Sequence, residues 1–374
     1  MSDVERVVVV GAGVSGLAIA HELVSDLDVI VVDSGGVAAD TTSRASGVIS
    51  LALEPISSAV RRFALESFRD LDGRGTFSFN ERATVRLNPR TEETVPPSGG
   101  EYLDNQGLRD TFPGVFADLA GYDGAWVYHE TGMLNPIDYA MTLRWLSASE
   151  GVRFLTDRPM TDIVTDDDRV VGIETPQGRL TADAVVIATG WRARSHVIEH
   201  VELPIRPLRW HAVTFEGSFE PASPMPLGSE PVERMYWRPR STGDILIGGN
   251  EYFIEHPTEA PSEVDPEFRE AATSLAARLF EDVDTSVILQ EDCCPTADSA
   301  TPDGLPIIDA PPEVPDGLVV ATGFHGRGVM LSPITGRIVR DLLMEEDSPF
   351  SLDPFSLDRF GDRGQSFTYR SHWD

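Results

Sequence analysis

A glycine-rich turn near the start of the chain constrains the fold more than any other stretch of the sequence. Four valines at positions 7–10 predict a buried parallel strand, and the apolar periodicity of residues 14–23 predicts a helix. Gly11, Gly13 and Gly16 fill the G-x-G-x-x-G pattern between and within these two elements. The arrangement predicts a βαβ unit that binds a dinucleotide, with the helix N-terminus facing the phosphates.

An acidic residue follows the second predicted strand of this unit. Residues 29–32 predict that strand, and Asp33 stands at its end, seventeen positions after Gly16. A carboxylate at this point accepts hydrogen bonds from the ribose hydroxyls of an adenosine. The ordered set of strand, glycines, helix, strand and acid therefore favours nucleotide binding over an ordinary strand–turn–helix.

The composition is strongly acidic. The chain has 61 Asp and Glu residues against 30 Lys and Arg residues, for a formal net charge of −31, and it contains no lysine. The acidic residues are scattered, which indicates adaptation to a salt-rich cytoplasm, as in halophilic archaea, and not an acidic functional patch. Such a surface repels nucleic acid and anionic membranes, so we expect neither as a partner.

Cysteine usage and the apolar segments indicate the cellular setting. Cys293 and Cys294 are the two cysteines, and they offer neither a disulfide framework nor a zinc site, so no metal is expected. The first strand begins close to Met1, which leaves no room for a signal peptide. The longest apolar run, residues 7–20, is short for a membrane span. We therefore expect a soluble cytoplasmic protein.

Glycine-rich turns follow predicted strands at both ends of the chain, the second after residues 318–323. A discontinuous nucleotide-binding domain explains this, so we expect an α/β fold in which a Rossmann-like domain is joined to a β-rich, α+β second domain. Residues 204–217 and 234–249 predict long antiparallel strands of the second domain. Residues 329–343 predict the last helix, entered through Ser332 and Pro333. The expected nucleotide-binding domain comprises residues 1–75, 132–202 and 296–374, and the expected substrate domain comprises residues 76–131 and 203–295.

Ordered motifs extend over nearly the whole chain. They are residues 11–16 with Asp33, 42–47, 132–136, 184–191, 207–209, 301–308, 323–336 and 353–360. In this order they resemble the FAD-dependent D-amino-acid oxidase superfamily, especially its branch of glycine oxidases, sarcosine oxidases and D-amino-acid dehydrogenases.

The resemblance implies that FAD lies extended across the first domain. The glycine turn would hold the pyrophosphate, Asp33 the ribose, residues 42–47 the ribityl chain and flavin ring, and Met160 the adenine. Residues 325–330 would close over the pyrimidine end of the flavin. The residues implied in FAD binding are Gly11, Gly13, Val14, Ser15, Gly16, Asp33, Ser34, Thr42, Ser43, Arg44, Ala45, Ser46, Gly47, Met160, Thr189, Gly190, Trp191, His325, Gly326, Arg327, Gly328, Val329 and Met330.

The resemblance also implies a reaction. Members of the family oxidise the C–N bond of an amino acid by hydride transfer to flavin N5, so we expect a D-amino acid, glycine or an N-methylated glycine as substrate. An FAD-dependent 2-hydroxy-acid or glycerol-3-phosphate dehydrogenase shares the nucleotide motifs and stays open. A nicotinamide-dependent dehydrogenase and a non-catalytic flavin-binding protein stay open as well.

A carboxylate substrate needs a cationic anchor, for which the planar fork of arginine is suited. Arg44, Arg238 and Arg327 are the candidates, because each lies within a motif or on a strand of the expected substrate domain. Tyr236 could cap the pocket or bond the carboxylate, and His325 could face the flavin. The structural alternatives are surface arginines paired with acids, a half-buried strand tyrosine and a hydrogen-bonded loop histidine.

The chain departs from the family pattern in two places. Many members carry Arg-Pro shortly before the motif at 301–308, where this chain has two cysteines followed by Pro295. Sarcosine oxidase-like members have a cysteine here that bonds covalently to flavin, so Cys294, or failing that Cys293, is a candidate for such a bond. The lysine that activates dioxygen in those members has no counterpart. We therefore expect a dehydrogenase that passes electrons to another acceptor.

Overall fold

The computed structural model describes residues 4–90, 99–219, 225–254, 263–293, 298–361 and 367. Strands and helices are numbered in chain order. A six-stranded sheet contains β1 (Arg6–Val10), β2 (Asp28–Val32), β9 (Arg153–Leu155), β13 (Ala184–Ile187), β20 (Ile307–Asp309) and β21 (Leu318–Thr322). Its spatial order is β20-β21-β13-β1-β2-β9, and every pair is parallel except β20 with β21.

Helices cover one face of this sheet. The helices of the described chain are α1 (Val14–Leu23), α2 (Thr41–Arg44), α3 (Ser58–Leu71), α4 (Asn105–Thr111), α5 (Pro136–Ser149), α6 (Ala193–Val197), α7 (Pro266–Leu279) and α8 (Gly328–Met344). Val7 and Val9 of β1 pack into a core with α1, α3, α5 and α8, whereas Val8 and Val10 pack into a second core on the opposite face. Burial on both faces explains why the strand is a continuous run of valines.

The last helix differs from its predicted entry. We expected the chain to enter it through Ser332 and Pro333, but α8 begins at Gly328 and Pro333 lies inside it. A proline there cannot donate to the carbonyl four residues earlier. The hydroxyl of Ser332 donates to that carbonyl, of Val329, at 2.8 Å instead, which accommodates the proline.

A nine-stranded sheet lies beside the first one. It contains β5 (Thr84–Pro89), β6 (Glu101–Asp104), β7 (Tyr122–Tyr128), β14 (Arg206–Gly217), β15 (Leu227–Glu230), β16 (Met235–Pro239), β17 (Ile245–Phe253), β18 (Val283–Cys293) and β19 (Asp298–Ala300). The order is β18-β14-β17-β16-β15-β5-β7-β6, and β19 pairs with β14. The two smaller sheets are β3 (Val48–Ile49), β8 (Gly132–Leu134) and β4 (Phe79–Glu81), and β10 (Asp162–Asp166), β11 (Arg169–Glu174) and β12 (Leu180–Thr181).

The prediction of one long strand at residues 234–249 was wrong. Two antiparallel strands, β16 and β17, occupy this stretch, and a tight turn joins them. Arg240 N–H donates to the Asp244 carbonyl at 2.8 Å, and Gly243 has a φ of +92°, a backbone conformation that favours glycine.

The two faces of the nine-stranded sheet have different environments. Val85 and Leu87 of β5 point into an apolar core that the sheet shares with α7, and both are fully buried. Thr84 and Arg86 alternate with them and therefore face the other side. The α/β fold with a β-rich second part is confirmed, and the domain boundaries stay a prediction. No helix among the described residues is both long and apolar enough to cross a membrane.

Candidate active site

A cavity of about 1120 Å³ extends from the carboxyl ends of β1, β2 and β13 to the nine-stranded sheet. Ligands of open parallel sheets bind at this end of the strands. The loops after the three strands supply Gly11, Asp33 and Gly190 to its wall. Residues from β5, β14, β15 and β16 form its far side. The cavity therefore connects the predicted nucleotide site with a wall built from distant parts of the chain.

The glycine turn is packed as the sequence predicts. Gly11 has a φ of +112°, and a Cβ added to it would overlap the carbonyl oxygen of Ala188. A Cβ added to Gly16 would overlap the carbonyl oxygen of Gly11, so Gly16 brings helix and turn together without lining the cavity. Gly13 stands at the start of α1 and lines the cavity. This leaves open space beside the helix N-terminus, where an anion is favoured.

Asp33 is held rigidly beside this turn. Its Oδ2 accepts a hydrogen bond from Ala12 N–H at 2.7 Å, and its Oδ1 accepts one from Gly35 N–H at 2.7 Å. The carboxylate lines the cavity, and it retains acceptor capacity on both oxygens. These carboxylate oxygens fit the ribose hydroxyls of a dinucleotide, from which they can accept hydrogen bonds.

The loop after β13 forms the neighbouring wall. The hydroxyl of Thr189 lies 2.9 Å from His196 Nδ1, and burial lowers the pKa of His196. The guanidinium of Arg192 lies over the Trp191 ring, 4.6 Å from its centroid, and forms a 2.7 Å ion pair with Asp40. Met160 lines the same part of the cavity.

The segment at residues 42–47 is anchored from two directions. The hydroxyl of Thr42 accepts a hydrogen bond from Val14 N–H at 3.0 Å, which ties α2 to the start of α1. Arg238 donates to the carbonyl oxygens of Ser46 and of Leu134, the latter at 3.2 Å. Burial lowers the pKa of Arg238 to about 10. Arg238 was one of the candidates for the carboxylate anchor, but it lies behind this segment and does not line the cavity.

The loop before α8 closes another side of the cavity. His325 is 1% exposed and has a φ of +53°, which is uncommon for a residue with a side chain. Burial, and to a lesser degree Arg327, holds the pKa of His325 well below its ordinary value, so the imidazole is neutral. Arg327 is paired with Glu54, and their side chains are 8% and 7% exposed. It also donates to the Gly304 carbonyl at 2.8 Å.

Arg44 and the cysteines have different surroundings. The Arg44 side chain is 40% exposed, lines the cavity and lies 3.9 Å from the Asp292 carboxylate. Cys293 points into the core of the nine-stranded sheet, where Arg209 Nε donates to its sulfur at 2.6 Å. Cys294, the predicted site of a covalent flavin bond, lies outside the described residues.

The structure brings most of the predicted residues together. Those that line the cavity are Gly11, Gly13, Val14, Ser15, Asp33, Ser34, Thr42, Arg44, Ala45, Ser46, Gly47, Met160, Thr189, Gly190, Trp191, Tyr236, His325, Gly326, Arg327, Gly328, Val329 and Met330. Gly16, Ser43 and Arg238 do not line it. Ser43 instead donates from its hydroxyl to the Asp40 carbonyl at 2.8 Å.

Several cavity residues were missed. Asp298 accepts hydrogen bonds from the N–H groups of Ser299, at 2.7 Å, and Gly326, and burial raises its pKa. Thr84, Arg86, Trp210 and Ser229 line the wall next to Tyr236. Alternation with buried Val85 and Leu87 marks Thr84 and Arg86 as facing away from the core, but the sequence does not state what lies there.

Comparisons with known proteins agree with this geometry. The chain is 28% identical over 387 residues to a glycine oxidase of Geobacillus kaustophilus, which covers 94% of this chain and 96% of that enzyme. The crystal structure of glycine oxidase from the same organism superposes with a TM-score of 0.78 at 24% identity, covering 95% of this chain and 99% of that one. L-proline dehydrogenase from P. horikoshii gives a TM-score of 0.82 at 20% identity, covering 96% and 98% of the two chains.

The family profile described as "FAD dependent oxidoreductase" (DAO) matches residues 6–342, which is most of the chain. The glycine cradle, the fixed Asp33 and the open space beside α1 fit the dinucleotide that this family binds. This chain is therefore a member of the DAO family of FAD-dependent oxidoreductases, with FAD as its cofactor.

Proposed function

We propose that this enzyme oxidises the C–N bond of a small amino acid, a D-amino acid, glycine or an N-methylated glycine, and passes the electrons to an acceptor other than dioxygen. The observation that carries the proposal is the continuity of the cavity. One cavity joins the dinucleotide cradle to a wall of polar and aromatic side chains, and the space beside that wall is large enough for a small substrate.

The proposed cofactor contacts follow from the donors and acceptors on the cavity wall. Gly11, Gly13 and Ser15 offer the pyrophosphate a close approach to the start of α1, and Asp33 is suited to the ribose hydroxyls. At the other end, the start of α8 at Gly328 favours negative charge on the flavin side. When bound, FAD supplies the acceptor for a hydride.

In the proposed reaction the substrate carbon loses a hydride and the nitrogen loses a proton, so that a C=N bond forms and water hydrolyses the imine. The amine must be neutral to react in this way. Burial away from water disfavours the charged form of an amine, as it does for the side chains of His325 and Asp298, whose pKa values it shifts toward the uncharged form. Trp210 and Tyr236, whose ring centroids are 6.5 Å apart in an edge arrangement, restrict the size of the substrate from the sheet side.

The preference for an acceptor other than dioxygen rests on charge. A fixed cation beside the flavin would stabilise superoxide, and the sequence has no lysine for that role. On the loop that precedes α8, Arg327 is paired with Glu54 and His325 is neutral. Neither therefore offers an uncompensated positive charge.

The test is the visible absorption of the FAD-loaded protein at high salt, recorded anaerobically while substrates are added. The panel holds glycine, sarcosine, several D-amino acids, their L-enantiomers and 2-hydroxy acids. We expect one amino-acid class to bleach the flavin. When air is then admitted, we expect the reduced flavin to be reoxidised slowly. Bleaching by hydroxy acids alone would contradict amine oxidation, and rapid reoxidation in air would contradict the dehydrogenase assignment.

A further inference from the structure

An arginine on the cavity wall has no acidic partner in the described part of the chain. Arg86 lies on β5, lines the cavity, and has a buried Nε with no hydrogen-bond partner among the described residues. Within the same residues, no carboxylate lies at ion-pair distance from its guanidinium. Burial lowers its pKa, which indicates that the charge is partly removed from water. An arginine in such a position is costly unless an anion joins it.

Other arginines on the cavity wall differ from Arg86 in this respect. Arg327 is paired with Glu54, Arg192 with Asp40 at 2.7 Å, and Arg44 lies 3.9 Å from Asp292. Their charges are compensated within the protein. Arg158 also lines the cavity without an ion pair among the described residues, but its Nε donates to the Thr175 hydroxyl at 3.0 Å. Arg86, whose buried Nε has no such partner, is therefore the cavity arginine best placed to neutralise an anion that enters from solution.

Two residues with hydroxyl groups are neighbours of Arg86 on the same face of the sheet. Ser229 on β15 pairs in register with Arg86, and Thr84 lies two residues before it on the same face of β5. The side chains of Thr84 and Ser229 are buried, and both hydroxyl oxygens have no hydrogen-bond partner in the described chain. Buried polar atoms without partners are rare, and a group of three at one spot points to a missing ligand.

The chemistry of the three groups specifies the ligand. A guanidinium presents parallel N–H groups that match the two oxygens of a carboxylate, and each hydroxyl can donate one further hydrogen bond. We propose that Arg86, supported by Thr84 and Ser229, binds the carboxylate of the substrate, an assignment that rests on the proposed amino-acid oxidation. The anchor then lies on β5, not on Arg327 or Arg238, whose guanidinium groups are engaged by the protein.

The assignment also defines how the substrate lies. The carboxylate end is held at the nine-stranded sheet, and Tyr236 and Trp210 stand on the same wall. The rest of the molecule extends toward the dinucleotide side of the cavity. Amines that lack a carboxylate should therefore be poor substrates. Phosphate esters should bind less well than monocarboxylates because one guanidinium, flanked by uncharged hydroxyls, offers a single positive charge.

The test compares Arg86→Gln, Arg86→Lys and the surface variant Arg90→Gln, whose arginine pairs with Asp123 outside the cavity. Acetate is titrated into each oxidised, FAD-loaded protein at one fixed salt concentration, and binding is followed by the flavin absorption spectrum. Acetamide, which has the shape of acetate without its charge, is the control ligand. Flavin content and far-ultraviolet circular dichroism verify that each variant is folded.

We expect Arg86→Gln to weaken acetate binding by about 100-fold, the usual size for loss of one partner of a buried charge pair. Arg86→Lys should retain part of the affinity because it keeps the charge without the fork, and Arg90→Gln should match the wild type. Acetamide binding should be insensitive to all three changes. With an amino acid that reduces the flavin, Arg86→Gln should raise the dissociation constant far more than it lowers the limiting rate of reduction.

Other results would overturn the assignment in distinguishable ways. Equal acetate affinity in wild type and Arg86→Gln would exclude Arg86 as the anchor, as would an absence of acetate binding to the wild type. If Arg86→Gln does not fold, the acetate affinity of Arg86→Lys is compared with that of the wild type instead. Equal affinity in these two proteins would exclude bidentate binding of acetate by Arg86. Arg86-dependent acetate binding without flavin reduction by any amino acid would refute the proposed function and leave an anion site.

Discussion

The two ends of the cavity are built in different ways. At the nucleotide end, Gly11, Gly13 and Asp33 lie within 23 positions of one another, and short backbone contacts fix them. At the sheet wall, Arg86 and Ser229 are separated by 143 positions and meet only because β5 and β15 pair in one register. The first end is specified by local sequence. The second end depends on the tertiary fold, and it is where enzymes of one fold differ most in substrate.

The largest effect is expected from Gly11→Ala at the nucleotide end. Gly73→Ala is the matched control, because Gly73 also has a positive φ, +76°, but a Cβ there would meet nothing within 4 Å. The control should cost only the left-handed backbone, about 1–2 kcal/mol in the free energy of unfolding. Gly11→Ala adds overlap with the Ala188 carbonyl, for a total of about 3 kcal/mol or more, and should lose FAD.

Chemical denaturation and the flavin-to-protein ratio measure both consequences. If Gly11→Ala keeps FAD and has the same free energy of unfolding as Gly73→Ala, the close approach of Gly11 to the Ala188 carbonyl is unimportant. The local construction of the nucleotide end would then be incorrect.

Arg238→Gln tests the link between the two ends. The change removes charge-assisted hydrogen bonds to the Ser46 and Leu134 carbonyls, and we expect a loss of about 2–3 kcal/mol in stability. FAD affinity should fall too, because residues 42–47 lose their support. Arg240→Gln is the control, since Arg240 lies at the next turn and bonds Gln290 at 2.7 Å near the surface. A variant with normal stability and FAD binding that no longer binds acetate would make Arg238 the anchor, as one of the three arginines that the sequence offered for that role.

Acidification should lower the free energy of unfolding through a histidine of the nine-stranded sheet, which lies away from the nucleotide end of the cavity. His211 lies on the core side of β14, stacked on Phe268 at 5.3 Å, and burial followed by Arg209 lowers its pKa from 6.5 to about 4. The unfolded chain therefore binds a proton that the folded chain does not between these values, so stability falls as pH decreases from 6.5 toward 4. The slope for one group is at most about 1.4 kcal/mol per pH unit.

His211→Phe should flatten this dependence, whereas the exposed control His129→Gln should leave it unchanged. Denaturation midpoints at a series of pH values measure the difference between each variant and the wild type. Identical slopes for His211→Phe and wild type would mean that His211 is already charged in the folded protein.

The smallest effect is expected from Tyr236→Phe. The Tyr236 hydroxyl hydrogen-bonds Ser46, and its ring lies on the cavity wall. Losing this one neutral hydrogen bond is worth about 1 kcal/mol, so chemical denaturation should show a loss of about that size in the free energy of unfolding, while the FAD content and the affinity for acetate stay normal. Spectral titration of the flavin measures both. A Tyr236→Phe protein that loses FAD would place this tyrosine with the nucleotide end.

The sequence predicted the nucleotide end because strand, turn, helix and acid follow one another within a short stretch. It also indicated the α/β fold class, since the valines of β1 are buried on both faces. The sheet wall could not be predicted in the same way. Alternation shows that Arg86 faces away from Val85, but only the pairing of β5 with β15 places Ser229 beside it.

Two local predictions failed for related reasons. Residues 234–249 have the composition of one strand, but Gly243 allows a turn that folds them into two. Proline is common at the start of a helix, which is why Pro333 suggested one. The Ser332 hydroxyl, however, donates to the Val329 carbonyl, which receives no hydrogen bond from the proline, so α8 can begin earlier. In both cases a single hydrogen bond or backbone angle decided between two structures that the local sequence permits.

The most direct test of the account is a crystal structure of the FAD-loaded enzyme with acetate bound. We expect the pyrophosphate at Gly11, Gly13 and Ser15, and the acetate carboxylate on the guanidinium of Arg86 with Ser229 and Thr84 in contact. Acetate bound to Arg327 after displacement of Glu54, or to Arg44, would contradict the assignment of the sheet wall. A pyrophosphate held elsewhere would contradict the account of the cavity as a whole.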